Sequence, residues 1–208
     1  SGQHGDANDR LNKIKDSITN LRQKYKFVII DGVGYPGVGS CVGCSNAQMA
    51  SYLHIPVLMI SQPGVGNMID TCVMNVEYMA YHKVQTLGTI INKLPIKKIS
   101  YHTSDNIKTY CSKFFESYKY TIQHINDDNS INNNIHNISV YGFIPAYNDD
   151  ISGCSVTCNL KHREDPITDE ELQMNDNDYH ELTLILRNQQ YNVKFQQIFT
   201  DISTFYNK

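Results

Sequence analysis

Apolar and polar positions follow one another along this chain in two rhythms. From Ala7 to Tyr25, Leu11, Ile14, Ile18 and Leu21 recur at helical spacing, which predicts an amphipathic helix. The rhythm then changes: FVIID (27–31) is an unbroken apolar run of strand length, ended by a carboxylate. IPVLMIS (55–61), TLGTIIN (86–92) and ISVYGFIP (138–145) are further runs of this kind. Runs that are apolar throughout, rather than alternating, suit strands of a parallel sheet covered on both faces. Helical patterns fall between them, at 46–53, 66–82 and about 104–120. Strands alternating with helices at this spacing build βαβ units. The expected fold is therefore α/β, a parallel sheet with helices on both faces.

Each predicted strand ends in turn chemistry: Asp31-Gly32, Ser61-Gln62-Pro63-Gly64, Asn92-Lys93 and the Gly142–Pro145 stretch GFIP. Ligands of open α/β sheets sit at the carboxyl ends of the strands, so Asp31, Gln62, Asn92 and Pro145 are expected along one edge. The asparagine-rich stretch INDDNSINNNIHN (125–137) reads as a solvated loop insertion. Beyond it the chain divides into an α/β part, 1–146, and a remainder, 147–208. That remainder opens polar, irregular and acidic. From about 178 it becomes an aromatic, apolar-spaced tail, read as a strand or short helix followed by a terminal helix. Tyr191, Phe195, Ile198, Phe199, Ile202 and Phe205 give the tail a surface to bury, against this chain, a second copy or a neighbouring subunit. A homo-oligomer or a larger protein complex is expected on that ground.

Composition narrows the choice of partner. With 40% hydrophobic and 19% charged residues the chain can bury a core, which separates it from disordered sequences. A net charge of -3 and only short basic clusters leave no basic face for nucleic acid. The apolar runs are far too short to span a bilayer. Six cysteines in 208 residues are too sparse for a disulfide scaffold, so a reducing compartment is expected, cytosol or mitochondrion.

The chemistry-bearing residues resemble a known family. A strand ending in D-G-x-G (31–34), the N-A-x-x-A-x-x-L helix from Asn46, a glycine-led helix from Gly64, L-G-x-x-x-N at 87–92 and G-F-I-P at 142–145 occur in the order of the dethiobiotin synthetase family. That family belongs to the P-loop NTPases, with the cobyrinic-acid amidase-synthetases and the amino-terminal domains of some phosphotransacetylases. The resemblance runs from about Phe27 to Pro145 and implies ATP and Mg²⁺ as cofactors. It implies that Asp31, where the family usually has Glu, helps hold Mg²⁺, a hard cation that takes oxygen ligands. By the same resemblance Gly32 and Gly34 let backbone approach substrate or phosphate, Asn92 meets the nucleotide base with its side-chain amide, and Pro145 packs beside that base. Each residue also has a plainer reading: Asp31 as a turn cap, Asn92 as a turn or cap residue, and the glycines as loop dihedrals.

One departure is large. A G-x-x-x-x-G-K-[ST] loop supplies backbone amides and a lysine for phosphates and a hydroxyl for Mg²⁺, and no such sequence occurs here. The resemblance places that loop on an opening strand ahead of the acidic one, so the amino-terminal part of the fold is expected to be absent from these residues. Two readings stay open. One is a nucleotide-binding domain with ATP- and Mg²⁺-dependent ligase or cyclo-ligase chemistry if the loop is supplied elsewhere, the chain alone being inactive. The other is a pseudoenzyme, a structural subunit keeping the fold as a scaffold inside a larger, possibly mitochondrial, assembly. Cys41 and Cys44 (C-x-x-C) with Cys154 and Cys158 (C-x-x-x-C) also permit a tetrahedral zinc site. The pairs are distant and the second is loosely spaced, so inert thiols are favoured over zinc. Cys72 and Cys111 fall on predicted helices as small core residues.

Overall fold

A computed structural model describes residues 6–62, 65–94, 103–125, 130–145 and 193–207, and the side chains within these save those of Ile125 and Pro145. The helical rhythms become helices. α1 is Ala7–Lys24, α2 Asn46–Leu53, α3 Gly66–Tyr81 and α4 Ser104–Ser117. α2 starts on a capping box: Ser45 Oγ accepts from the Gln48 amide while the Gln48 side chain accepts from the Ser45 amide. It stops at His54, whose left-handed backbone (φ 52°) turns the chain toward the next strand. Thr103 caps α4 more simply, its hydroxyl accepting from the Asn106 amide.

Three of the apolar runs become β1 (Val57–Ser61), β2 (Thr86–Leu94) and β5 (Ser139–Pro145). They form a parallel sheet in the order β1-β2-β5, with Ser61 opposite Ile91 and Leu94 opposite Pro145. β2 is the centre and is buried on both sides. Ile91 and Leu94 join Met59, Val76, Ile107, Cys111 and Phe115 in the larger core, under α2, α3 and α4. Leu87 and Ile90 meet Tyr141, Val193 and Ile198 in a second, smaller core. Ile198 belongs to the terminal helix α5 (Phe195–Tyr206). Val193 bridges Gly142 antiparallel just ahead of it, and Asp201 accepts a 2.5 Å hydrogen bond from the Tyr141 hydroxyl. Gly88 is what lets β2 and β5 approach: a Cβ there would lie 2.2 Å from the Ser139 carbonyl oxygen and 2.5 Å from the Tyr141 ring.

Two expectations are corrected. FVIID (27–31) is not a strand, because among the described residues its backbone makes no hydrogen bond and so completes no ladder. The sheet therefore has three of the four strands expected. The asparagine-rich stretch, in turn, is more than a loop: Ile131–Asn137 is β4, paired antiparallel with β3 (Lys119–Ile125). β4 is almost wholly exposed and has poor intrinsic strand character. Its partner holds it. Tyr120 of β3 is buried, stacks on His136 of β4, and its hydroxyl donates to the Thr86 carbonyl and accepts from the Thr86 amide, both at 2.8 Å.

Candidate functional site

The carboxyl ends of β1, β2 and β5 lie along one edge, as parallel pairing requires. Asp31 stands at the start of the glycine turn that leads toward α2. The Asn46 side-chain amide donates to the carbonyls of Val33 and Tyr35, each at 2.9 Å, and so ties the glycine turn to the start of α2. Asp31, Gly32, Gly34, Ser61 and Gln62 all line one cavity of about 1660 Å³. Asp31 is exposed, with its carboxylate open to solvent. Gly34 has φ 66°, a left-handed conformation that glycine adopts without strain, so this glycine is set by its turn. A Cβ on Gly32 would make only ordinary contact, 3.5 Å from the Asn46 side chain.

Asn92 does not line that cavity. Asn92 lies near the end of β2, half-buried, and its side-chain oxygen accepts a 2.8 Å hydrogen bond from the Lys93 amide. Lys93 is itself left-handed (φ 58°), so the oxygen of Asn92 serves a local turn while its NH₂ group makes no hydrogen bond among the described residues. Pro145 closes β5 opposite Leu94. Cys41 is exposed and Cys44 half-buried, both as free thiols, while Cys154 and Cys158 lie outside the described residues. Among the described residues no three potential ligands gather as a metal group.

The residues that sequence reasoning missed are small and polar. Ser61 Oγ and Thr89 Oγ1 are 2.7 Å apart, joining β1 to β2 beneath the cavity, and Cys72 of α3 hydrogen-bonds to both. Burial pushes the Cys72 thiol up, outweighing those hydrogen bonds, so it remains protonated and unreactive at neutral pH. Asn46 was legible only as a helix-start residue; the capping box on either side of it was the available signal. No spacing rule would have paired it with Val33 and Tyr35.

A parallel sheet with helices on both faces and polar turns at its carboxyl edge defines the molecule as an α/β domain of P-loop NTPase type. A model of the AAA domain family matches residues 3–149, and the chain belongs to this dethiobiotin synthetase-like P-loop family. Among curated proteins it is similar to the ATP-dependent dethiobiotin synthetase BioD of Methanococcus vannielii, 28% identical over 91 residues, 43% of each chain. It is also similar to the protein of the same name from Methanocaldococcus jannaschii, 29% identical over 38% of this chain and 37% of that one. The Methanococcus aeolicus protein of that name is 32% identical over 39% of each. The matched stretch thus spans about two-fifths of the length of these relatives. No solved structure matches the chain. Among the described residues no helix is long and apolar enough to cross a membrane.

Proposed function

We propose that this chain is the magnesium- and base-binding portion of a dethiobiotin synthetase-like nucleotide site. The lining of one cavity by Asp31, the Gly32–Gly34 turn, Ser61 and Gln62 carries the reading. The donor set fits the metal. Mg²⁺ keeps several waters and takes one or two carboxylates plus substrate phosphates, so a lone exposed Asp31 suits it where a dedicated cage would not. Bound there, the ion would supply neutralising charge for phosphate oxygens. Asp31 would hold it, the backbone of Gly32 and Gly34 would leave room for the phosphates, the NH₂ of Asn92 would donate to a base, and Pro145 would border that base. ATP-dependent ligase or cyclo-ligase chemistry follows only where a phosphate-binding loop joins this site, since phosphoryl transfer rests on positioning and charge stabilisation.

A specific observation favours a second reading. The asparagine-rich insertion at 125–137 and the aromatic, apolar-spaced tail from about 178 suit a pseudoenzyme, a structural subunit of a larger and possibly mitochondrial assembly. Titration of the chain with ATP, with and without Mg²⁺, separates the two. The nucleotide reading expects Mg²⁺-dependent binding, weakened about tenfold in Asp31→Asn (about 1.4 kcal/mol) and reduced in Asn92→Ala, without turnover by the chain alone. Binding indifferent to Mg²⁺ and to both substitutions, or none at all, leaves the scaffold.

A further inference from the structure

The hairpin of β3 and β4 takes no part in the cavity beside Asp31: none of its residues lines it. Among the described strands β4 pairs with β3 alone, so alternate residues of Ile131–Asn137 turn their backbone N–H and C=O groups to an outer edge. Folded proteins blunt such edges with lysines, prolines or bulges, because a bare edge invites pairing with another chain. β4 uses none of these devices. Its sequence, INNNIHN, contains no Lys, Arg, Asp, Glu or Pro. Its pairing with β3 runs from Asn137–Lys119 to Ile131–Ile125 without a shift of register. β3, by contrast, carries Lys119.

The two faces of the hairpin differ, and the outer one is symmetric. Tyr120 and Ile122 are buried and pair with His136 and Asn134, so the even-numbered positions of β4 share the inner face. Ile131, Asn133 and Ile135 share the other, where the isoleucines are 61% and 67% exposed. The pattern is apolar, amide, apolar, centred on Asn133. An antiparallel copy of the strand, related by a two-fold axis at Asn133, sets Ile131 of each chain opposite the partner's Ile135. The same register sets Asn133 against the partner's Asn133 and Asn132 against the partner's Asn134. A side-chain amide carries both donors and an acceptor, so like pairs with like. With no Lys, Arg, Asp or Glu in the segment, like charges do not oppose each other at the axis. The strand is thus complementary to itself. We propose that β4 is the two-fold interface of a homodimer, in which the β3-β4 hairpins of two chains join edge to edge as one antiparallel sheet of four strands. Such a contact is isologous and closes on itself, which removes the bare edge of both copies. The proposal is independent of nucleotide binding beside Asp31.

Sedimentation of the 208-residue chain over a concentration series, read together with amide exchange, tests it. The expected result is a monomer–dimer equilibrium in which outer-edge amides among 131–135 exchange at least about tenfold more slowly in the dimer. Asn133→Lys sets two like charges against each other at the axis and should raise the dissociation constant at least about tenfold. Asn133→Asp should do the same, and an equimolar mixture of the two variants should associate again, which no general loss of folding would produce. Position 133 is exposed, so both variants should keep the circular dichroism spectrum. Should either misfold, Ile135→Thr, which retains β-branching, replaces it and should weaken the dimer by about threefold. A monomer at every concentration overturns the proposal, and so does a dimer that Asn133→Lys leaves unchanged, since it forms through another surface. Variants that weaken the dimer singly but do not associate when mixed place the axis elsewhere and overturn it too. Slow exchange at 131–135 that is independent of concentration means that the edge is covered within the chain, and growth beyond a dimer means open-ended stacking of edges. Either result also overturns it.

Discussion

The two flanks of the central strand have opposite character. Where β2 meets β5 the backbones are packed so tightly that Gly88 has no room for a Cβ, and Ile91 is fully buried. Where β1 faces residues 27–31, apolar side chains line open space, and Ile29 is 81% exposed. The sequences of the two flanks are alike in hydrophobicity. Their difference shows that an apolar run becomes a strand only when a partner satisfies its backbone groups, because an unpaired buried amide costs about as much as a lost hydrogen bond.

The comparison is sharpest in stability. Ile91→Ala should cost about 2–5 kcal/mol, since the packed flank cannot collapse around the lost methyl groups. Urea unfolding followed by circular dichroism measures it, and a loss under 1 kcal/mol would mean the flank is looser than its burial indicates. Gly88→Ala should follow, at about 1–3 kcal/mol, because the added methyl meets the Ser139 carbonyl, a backbone atom that cannot swing aside. An unchanged midpoint would show that β2 and β5 separate freely.

Alkaline pH should affect the packed flank next. Burial, and secondarily the neighbouring Cys72, pushes the Cys111 thiol up to about 11. The native state then holds a proton that the unfolded chain releases from about pH 8.5, so stability is complete below that pH and falls as pH rises toward about 11. The buried Tyr120 and Tyr141 hydroxyls, raised mainly by burial, add to the loss above about pH 10. Unfolding midpoints across this range should fall less steeply in Cys111→Ala than in the parent chain; parallel curves would remove the thiol from the account.

The open flank should respond least. Asn46→Ala removes both ties to the glycine turn and should cost about 1 kcal/mol at most, while exchange of the Val38 amide, which donates to the Tyr35 carbonyl, rises. Unchanged exchange there would leave the turn held by other contacts. Ile29→Ala should lie within about 0.5 kcal/mol of the parent, as for other exposed positions. A loss near that of Ile91→Ala would mean that the open flank is filled in solution, and would erase the contrast between the flanks.

Local pattern carried much of this architecture. Leu11, Ile14, Ile18 and Leu21 specified α1, the Ser45–Gln48 capping box started α2, and the apolar runs of β1, β2 and β5 announced a parallel sheet, because helical spacing, caps and continuous burial are properties of a few neighbouring residues. The polar tips at Asp31, Ser61-Gln62, Asn92 and Pro145 were legible for the same reason. Tertiary structure alone decided which runs found a partner. Residues 27–31 had the composition of a strand and no backbone partner among the described residues, while Ile131–Asn137 had the composition of a loop and was held as a strand through Tyr120 and His136. It also decided that Asp31 shares a cavity with Ser61 and Gln62 and not with Asn92, and that Asn46 ties down the glycine turn. Backbone pairing and side-chain convergence join residues far apart in the chain, and no local rhythm encodes which distant segment will lie alongside.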